Sequence, residues 1–334
     1  MAEAVWFGGP KRVEIRQELV APVGPDDVRV CALVSGVSAG SELLVYRGEA
    51  PSDVQPDLPT VGGDFGFPIK FAYASVGRVI EVGSRVDRLA LDDLVFVHHP
   101  HQTEYVVRAD FPFRLPEGIP TDIGVFAANL ETAITVVLDA HPRFGEAVLV
   151  TGQGVVGLLI TMLLRRAGAT PIVTADLHER RRVASAAAGA DHALPADGDL
   201  VDAVLELTEG RGVDVAVEVS GSPAGLQVCI DAAAFAGTVV VASWYGTRDV
   251  SLSLGRRFHR RRLRVVSSQV STLDPALSPR WDRARRTALV SALLEELPLS
   301  ELITHRFPLD EAAAAYELLD RGARECLQVV LDYV

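Results

Sequence analysis

A glycine-rich loop between an apolar strand pattern and an apolar helix pattern constrains the middle of this chain. Residues 147–150 form a compact apolar run, and residues 155–167 place apolar side chains at helical spacing. Between these runs stand Gly152, Gln153, Gly154, Val155, Val156 and Gly157. In a strand–turn–helix unit the first glycine permits a tight turn, the second lets a pyrophosphate approach the backbone, and the third lets helix and strand pack closely. The pattern predicts a dinucleotide at the helix N-terminus, where free N–H groups favour negative charge.

An acidic residue follows the next apolar run, residues 171–175. A carboxylate at that position, here Asp176, accepts hydrogen bonds from ribose hydroxyls and repels a 2′-phosphate. We therefore expect NAD(H) to be preferred. Arg180, Arg181 and Arg182 follow within one helical turn. One of them, with Arg181 as our choice, could accommodate the extra phosphate of NADP(H); the alternative is that they form a solvated helix face.

The alternation of short runs divides the chain into two domains. Residues 1–125 alternate β-branched runs with turn signals, which predicts a β-rich, barrel-like domain. Residues 126–267 alternate strand and helix patterns, which predicts βαβ units and a parallel sheet. Residues 268–334 are mixed, and we expect them to complete the first domain. The predicted fold class is α/β.

Charge and composition restrict the partners. The 334 residues include 32 Lys and Arg against 44 Asp and Glu, a net charge of −12, which disfavours nucleic acids and anionic membranes. Neither a secretory signal at residues 1–16 nor an uninterrupted apolar run of membrane-spanning length is found, so we expect a soluble, cytoplasmic protein that acts on a small molecule. Cys31, Cys229 and Cys326 lie singly in apolar runs and are expected to be buried.

Four segments of the sequence are similar to a known family. Residues 28–42, 77–83, 92–95 and 145–157 resemble the medium-chain dehydrogenase/reductase superfamily of alcohol dehydrogenase-like enzymes, and the resemblance covers nearly the whole chain. Residues 38–42, 100–104 and 129–133 more loosely resemble bacteriochlorophyllide a dehydrogenase-like proteins. The resemblance implies a GroES-like β-barrel catalytic domain plus a Rossmann domain, a doubly wound parallel sheet.

The chain departs from the zinc-dependent members of that family at each ligand position. Ser38 or Ala39 stands at the cysteine position, Tyr73 at the histidine position, and Ala128 near the third ligand. The four-cysteine lobe of a structural zinc is also missing. Because catalytic zinc needs Cys, His or carboxylate ligands, we predict an enzyme without zinc or any other metal.

Without zinc, side-chain donors must meet the charge that develops on a substrate oxygen. By resemblance Ser41 matches the hydroxyl that relays the alcohol proton, and Glu42 matches an acidic neighbour. Tyr73 replaces a ligand, and Lys70 lies three residues earlier. The alternatives are a turn-capping serine, an ordinary half-buried tyrosine and a solvated lysine. His101, together with Gln102, is predicted to face the substrate; chance exposure in a loop is the alternative.

The family resemblance also assigns the nicotinamide side of the cofactor. It implies roles for Thr132, Ser220, Gly221, Ser243 and Trp244. We predict hydride transfer between nicotinamide and a polar alcohol or carbonyl compound. The alternatives are reduction of an activated C=C bond and, from another class, a non-catalytic dinucleotide sensor. Residues 263–267 read as an apolar edge strand, so we also expect a homodimer.

Overall fold

The computed structural model describes residues 1–322 and 324–333, which divide into two compact units. The first unit comprises Met1–Ala128 and Ala288–Val334, and the second comprises Asn129–Thr287. Sequence patterns had instead put the boundaries at residues 125 and 268. Residues 268–287 lie in the second unit, and the hydrogen bond from Ser268 Oγ to Asp139 Oδ2 at 2.6 Å is one of their contacts there.

The regular elements are numbered here in chain order. The strands are β1 (Ala2–Gly9), β2 (Arg12–Glu18), β3 (Asp27–Val37), β4 (Ser75–Val82), β5 (Leu94–Val97), β6 (Glu104–Arg108), β7 (Phe113–Arg114), β8 (Val148–Thr151), β9 (Ile172–Asp176), β10 (His192–Pro195), β11 (Val213–Glu218), β12 (Ala233–Val241), β13 (Arg264–Ser267), β14 (Ile303–Pro308) and β15 (Gln328–Asp332). The α-helices are α1 (Ser41–Arg47), α2 (Ala127–Ala140), α3 (Val155–Arg166), α4 (Glu179–Ala187), α5 (Leu200–Leu207), α6 (Pro223–Ala232), α7 (Arg283–Glu296) and α8 (Ala312–Asp320).

The first unit is built from β-strands that come from both ends of the chain. β1 and β2 form an antiparallel hairpin, and a seven-stranded sheet runs β14-β15-β3-β4-β5-β7, with β6 also paired to β3. Alternate residues of β3, namely Val28, Val30 and Ala32, are buried in one core cluster with Val79 and Val107. This alternation is typical of a sheet that buries one face.

The second unit is a parallel sheet flanked by helices. Its strand order is β10-β9-β8-β11-β12-β13, and every pairing is parallel. All four residues of β8 are buried, as expected for a central strand covered on both faces. From β8 the chain first adds strands on one side and later on the other, so the strand order reverses between β8 and β11. In such sheets ligands bind beside the carboxyl ends of the strands at this reversal.

Residues 121–140 are long and apolar enough to cross a membrane by length and composition. However, 72% of the most apolar 18-residue stretch is buried, which is typical of a core helix.

Candidate functional site

The glycine loop after β8 is shaped by two close contacts and one open side. Gly152 has a φ of +92°, and a methyl group there would lie 2.6 Å from Ser220 Cα. A methyl group on Gly157 would lie 2.0 Å from the carbonyl oxygen of Gly152. In contrast, a methyl group on Gly154 would meet nothing within 4 Å. The first and third glycines are therefore required by packing, and the middle one leaves room for a ligand.

The start of α3 offers donors to that open side. Gly154 is the N-cap of α3 and supplies no side-chain acceptor to the first turn. The first N–H groups of a helix have no partner within the helix, and the helix dipole adds partial positive charge there. Val155 and Val156, the first helical residues, are half-buried. This arrangement fits the pyrophosphate of a dinucleotide.

Asp176 closes β9 and is fixed beside the glycine loop. Its Oδ2 accepts from the backbone N–H of Gln153 at 2.8 Å, and its Oδ1 accepts from the N–H of His178 at 2.8 Å. The guanidinium of Arg181 lies 3.8 Å from Oδ2. The carboxylate predicted to bind ribose and the arginine predicted to bind a 2′-phosphate are therefore neighbours.

We expect the wild-type chain to bind NADH more tightly than NADPH. Asp176→Ser should reduce the ratio of the two dissociation constants about tenfold, because the carboxylate that repels the 2′-phosphate of NADPH is gone. Fluorescence titration with both cofactors measures this. Arg181→Ser is the matched variant, and it should weaken NADPH binding in particular. Tighter NADPH binding by the wild type would mean that Arg181 dominates.

The predicted nicotinamide-side residues lie in the loops that follow β11 and β12. The N–H of Gly221 donates to Ser243 Oγ at 2.9 Å, so the two loops are joined. Ser220 is exposed, and Trp244 is half-buried. Sequence reasoning missed the buried Glu218, which accepts hydrogen bonds from both loops. Its position at the end of an apolar strand was the available signal.

On α2, Thr132 is half-buried, and a buried arginine braces the same helix. Arg286 Nη1 donates to Val270 O at 2.6 Å and to Thr135 Oγ1 at 3.1 Å, and Nη2 lies 3.7 Å from Glu131 Oε1. Burial lowers the pKa of Arg286, and the charge of Glu131 opposes this. Through these contacts Arg286 connects α2 to the loop after β13.

In the first unit, the structure brings together three hydroxyl groups. Tyr73 donates to Ser38 Oγ at 2.7 Å, and the hydroxyl of Ser41 lies near enough to the phenol to influence its pKa. Burial, followed by the negative charge of Glu42, raises the pKa of Tyr73 to about 12, and the two serine hydroxyls act in the opposite direction. The phenol is therefore protonated at neutral pH. Sequence reasoning had selected Tyr73 and Ser41 but missed Ser38 as a hydroxyl donor.

Glu42, which the resemblance matched to an acidic neighbour of the relay hydroxyl, is fully buried beside this hydroxyl cluster. Its Oε1 accepts from Ser38 N–H at 3.0 Å, and its Oε2 accepts from Tyr316 O–H at 2.6 Å. His101 Nε2 lies 3.2 Å from the same Oε2. Because Oε1 accepts from the backbone N–H of Ser38, the carboxylate fixes the backbone of that residue.

His101 and Gln102 are buried rather than facing a substrate, at 1% and 5% exposure. His101 Nδ1 pairs with Ser35 Oγ at 2.7 Å, and the side-chain amide of Gln102 donates to Glu104 O at 2.8 Å. These partners inside the first unit explain why the polar segment is not exposed.

Lys70 also has other partners than the hydroxyl cluster. Its Nζ donates to Glu18 Oε2 at 2.7 Å and to Gln102 Oε1 at 2.6 Å. This half-buried ion pair attaches β2 to the segment after β5. The contacts favour a structural role for Lys70, which the sequence pattern could not distinguish from a catalytic one.

The residues at the expected ligand positions do not fit zinc. Ser38 and Tyr73 are neutral hydroxyl groups, and Ala39 and Ala128 have no donor atom. Within residues 1–322 and 324–333, no group of three or more His, Cys, Asp or Glu side chains is arranged to hold a metal ion. These side chains therefore give a metal ion no role in the proposed chemistry.

Comparison with known proteins places these sites in context. Residues 155–286 match the family model described as zinc-binding dehydrogenase. The chain is 30% identical over 279 residues to D-guloside 3-dehydrogenase of Escherichia coli (strain K12), covering 78% of this chain and 79% of that protein. It is 28% identical over 335 residues to L-threonine 3-dehydrogenase of Pyrococcus abyssi, covering 90% and 89%.

Solved structures agree with the predicted fold. The crystal structure of 2R,3R-butanediol dehydrogenase from Bacillus subtilis matches with a TM-score of 0.82 at 21% identity, over 99% of both chains. The prediction of an α/β fold with a GroES-like β domain and a Rossmann sheet is confirmed.

Proposed function

Since the chain belongs to the zinc-binding dehydrogenases of the medium-chain dehydrogenase/reductase superfamily, we propose that it moves a hydride between NAD(H) and a polar alcohol or carbonyl compound without a metal ion. The family makes it an oxidoreductase with a nicotinamide cofactor. Two of the relatives described above are named for L-threonine and a D-guloside, both polar hydroxyl compounds, which supports the substrate class.

The hydroxyl cluster of Tyr73, Ser38 and Ser41 is the observation that carries the metal-free proposal. By resemblance, Ser38 stands at or beside the cysteine position of zinc-dependent members, and Tyr73 stands at their histidine position. Ser38 Oγ accepts from Tyr73, and also from the N–H of Gly40 at 3.3 Å, so its own hydrogen is left to donate to a substrate oxygen. Such donors stabilise the charge that forms on a carbonyl oxygen when it receives a hydride.

Each group of residues, in its own unit, has one proposed task. When bound, the nicotinamide cofactor supplies or accepts the hydride. Gly154 and the start of α3 hold its pyrophosphate, and Asp176 holds its ribose. Ser38 donates a hydrogen bond to the substrate oxygen. When a carbonyl is reduced, Ser38 gives its proton to that oxygen and takes the phenol proton of Tyr73, which solvent then replaces; alcohol oxidation reverses these steps. Glu42 holds the backbone of Ser38 in place.

Reduction of an activated C=C bond is the second candidate. It needs only a donor that polarises a remote carbonyl, and the hydroxyl cluster supplies one without a metal. A non-catalytic dinucleotide sensor, the third hypothesis, is set aside because the relatives are named dehydrogenases.

Protein purified without chelator is expected to contain well under one zinc per chain by elemental analysis. In a panel of polar compounds, we expect it to oxidise NADH while reducing a ketone, or to reduce NAD⁺ while oxidising an alcohol. Activity with enones alone would favour the second candidate. Activity that chelator abolishes and added zinc restores would contradict the metal-free proposal.

The cytoplasmic location and the homodimer stay predictions. β13 is the last strand of its sheet, and Val265 within it is 40% exposed, which supports pairing with a second copy. Light scattering of the purified chain measures the oligomeric state.

A further inference from the structure

Glu218 is a fully buried carboxylate at the carboxyl end of β11. Its Oε1 accepts from the N–H and the hydroxyl of Ser220, both at 2.7 Å, and from the N–H of Gly221 at 2.9 Å. Its Oε2 accepts from the phenol of Tyr245 at 2.7 Å. One side chain therefore fastens the loop after β11 to the loop after β12.

The charge of Glu218 is held by neutral donors. Among the residues that the structure describes, no Lys, Arg or His forms an ion pair with it. Burial, followed by the charge of Glu218, raises the pKa of Tyr245, so the phenol stays protonated as a donor. Burying a carboxylate without a counter-ion costs free energy. A cationic group that binds near Glu218 would therefore be attracted to its negative charge.

The sheet order determines which part of a dinucleotide lies near this carboxylate. Asp176 ends β9 on one side of β8, and Glu218 ends β11 on the other side. With the pyrophosphate at Gly154 and the adenosine at Asp176, the nicotinamide half extends toward β11 and β12. Ser220, held by Glu218, also packs against Gly152, which links these loops to the glycine loop.

We propose that Glu218 is a positioning residue for the nicotinamide half of the cofactor and that its charge favours the oxidised, positively charged ring over the neutral reduced ring. This inference rests on the proposed function. It makes the chain's affinity for NAD⁺ relative to NADH depend on a residue that touches neither the adenosine nor the pyrophosphate position.

Glu218→Gln keeps the shape of the side chain and removes its charge. We expect the ratio of the NAD⁺ to the NADH dissociation constant, measured by calorimetric titration, to rise about tenfold, the effect of one unit charge across a short distance of protein. ADP-ribose, which lacks nicotinamide, should bind the variant as it binds the wild type. An unchanged ratio in a folded Glu218→Gln variant would overturn the proposal.

Two further variants keep the charge. Glu218→Asp should hold the ratio within about twofold of the wild-type value. Tyr245→Phe removes one of the four donors that neutralise the carboxylate, so the ratio should move toward tighter NAD⁺ binding. A shift toward NADH in Tyr245→Phe would contradict the proposal even if Glu218→Gln does not fold.

Failure of this inference is distinguishable from failure of the proposed function. If the wild-type chain binds neither NAD⁺ nor NADH, the proposed cofactor is wrong. If it binds both and Glu218→Gln leaves their ratio unchanged, only the role of Glu218 is wrong.

Discussion

Tyr73→Phe is expected to lower turnover about 100-fold or more, because it removes the phenol that supplies a proton through Ser38 to the substrate oxygen. NADH affinity should not change, because Tyr73 belongs to neither the glycine loop nor the Asp176 site. Steady-state kinetics on an identified carbonyl substrate, together with NADH titration, measure both quantities. The high pKa of Tyr73 also predicts that this donor stays protonated through neutral and mildly alkaline pH, so it should impose no loss of carbonyl reduction there.

Ser38→Ala and Ser41→Ala test the other members of the hydroxyl cluster, and we expect strong losses of turnover from each. Lys70→Met is the matched control, because Lys70 is bonded to Glu18 and Gln102 instead. It should affect stability more than turnover. If Tyr73→Phe, Ser38→Ala and Ser41→Ala all retain wild-type turnover, the proton comes from elsewhere and this assignment is wrong.

Gly157→Ala is expected to destabilise the second unit by about 1–3 kcal/mol, because its methyl group would lie 2.0 Å from a backbone oxygen that cannot move freely. Since the displaced atom belongs to Gly152, the glycine loop would shift and NADH affinity should fall at least about tenfold. Thermal unfolding and calorimetric titration of the same preparation measure the two effects.

Gly154→Ala separates folding from binding. Its methyl group meets nothing within 4 Å, so we expect the unfolding temperature to stay unchanged while NADH affinity falls. A Gly154→Ala variant that binds NADH normally would show that the pyrophosphate does not approach this position, and the location of the cofactor would have to be revised.

Sequence reasoning succeeded where the chemistry is local. The glycine loop, the strand before it and the helix after it lie within about twenty consecutive residues. Gly152 is required by its positive φ and Gly157 by its close approach to Gly152, both within the same segment. The contact of Gly152 with the remote residue Ser220 could not be read from the pattern. β10 was also missed, because four residues with one histidine and one proline carry little strand signal.

The buried polar contacts of the first unit depend on pairings that no local pattern encodes. Tyr316 reaches Glu42 across 274 residues, and Tyr333 reaches Ser35 across 298. Because such partners are remote in the sequence, the neighbours of His101 along the chain could not show that its side chain is buried. The pattern predicted that His101 faces the substrate, with chance exposure in a loop as the alternative. Burial decided its role, and burial is a property of the tertiary fold.

The assembly of the first unit from both ends of the chain has a consequence for synthesis on the ribosome. Val37 of β3 pairs with Val329 of β15, whereas the second unit is one continuous segment, Asn129–Thr287. The Rossmann sheet can therefore fold before β15, which pairs with the end of β3, has been synthesised. During that interval β3 presents an unpaired edge, and closing so long a loop is slow, so the nascent chain passes through a stage open to aggregation or chaperone capture.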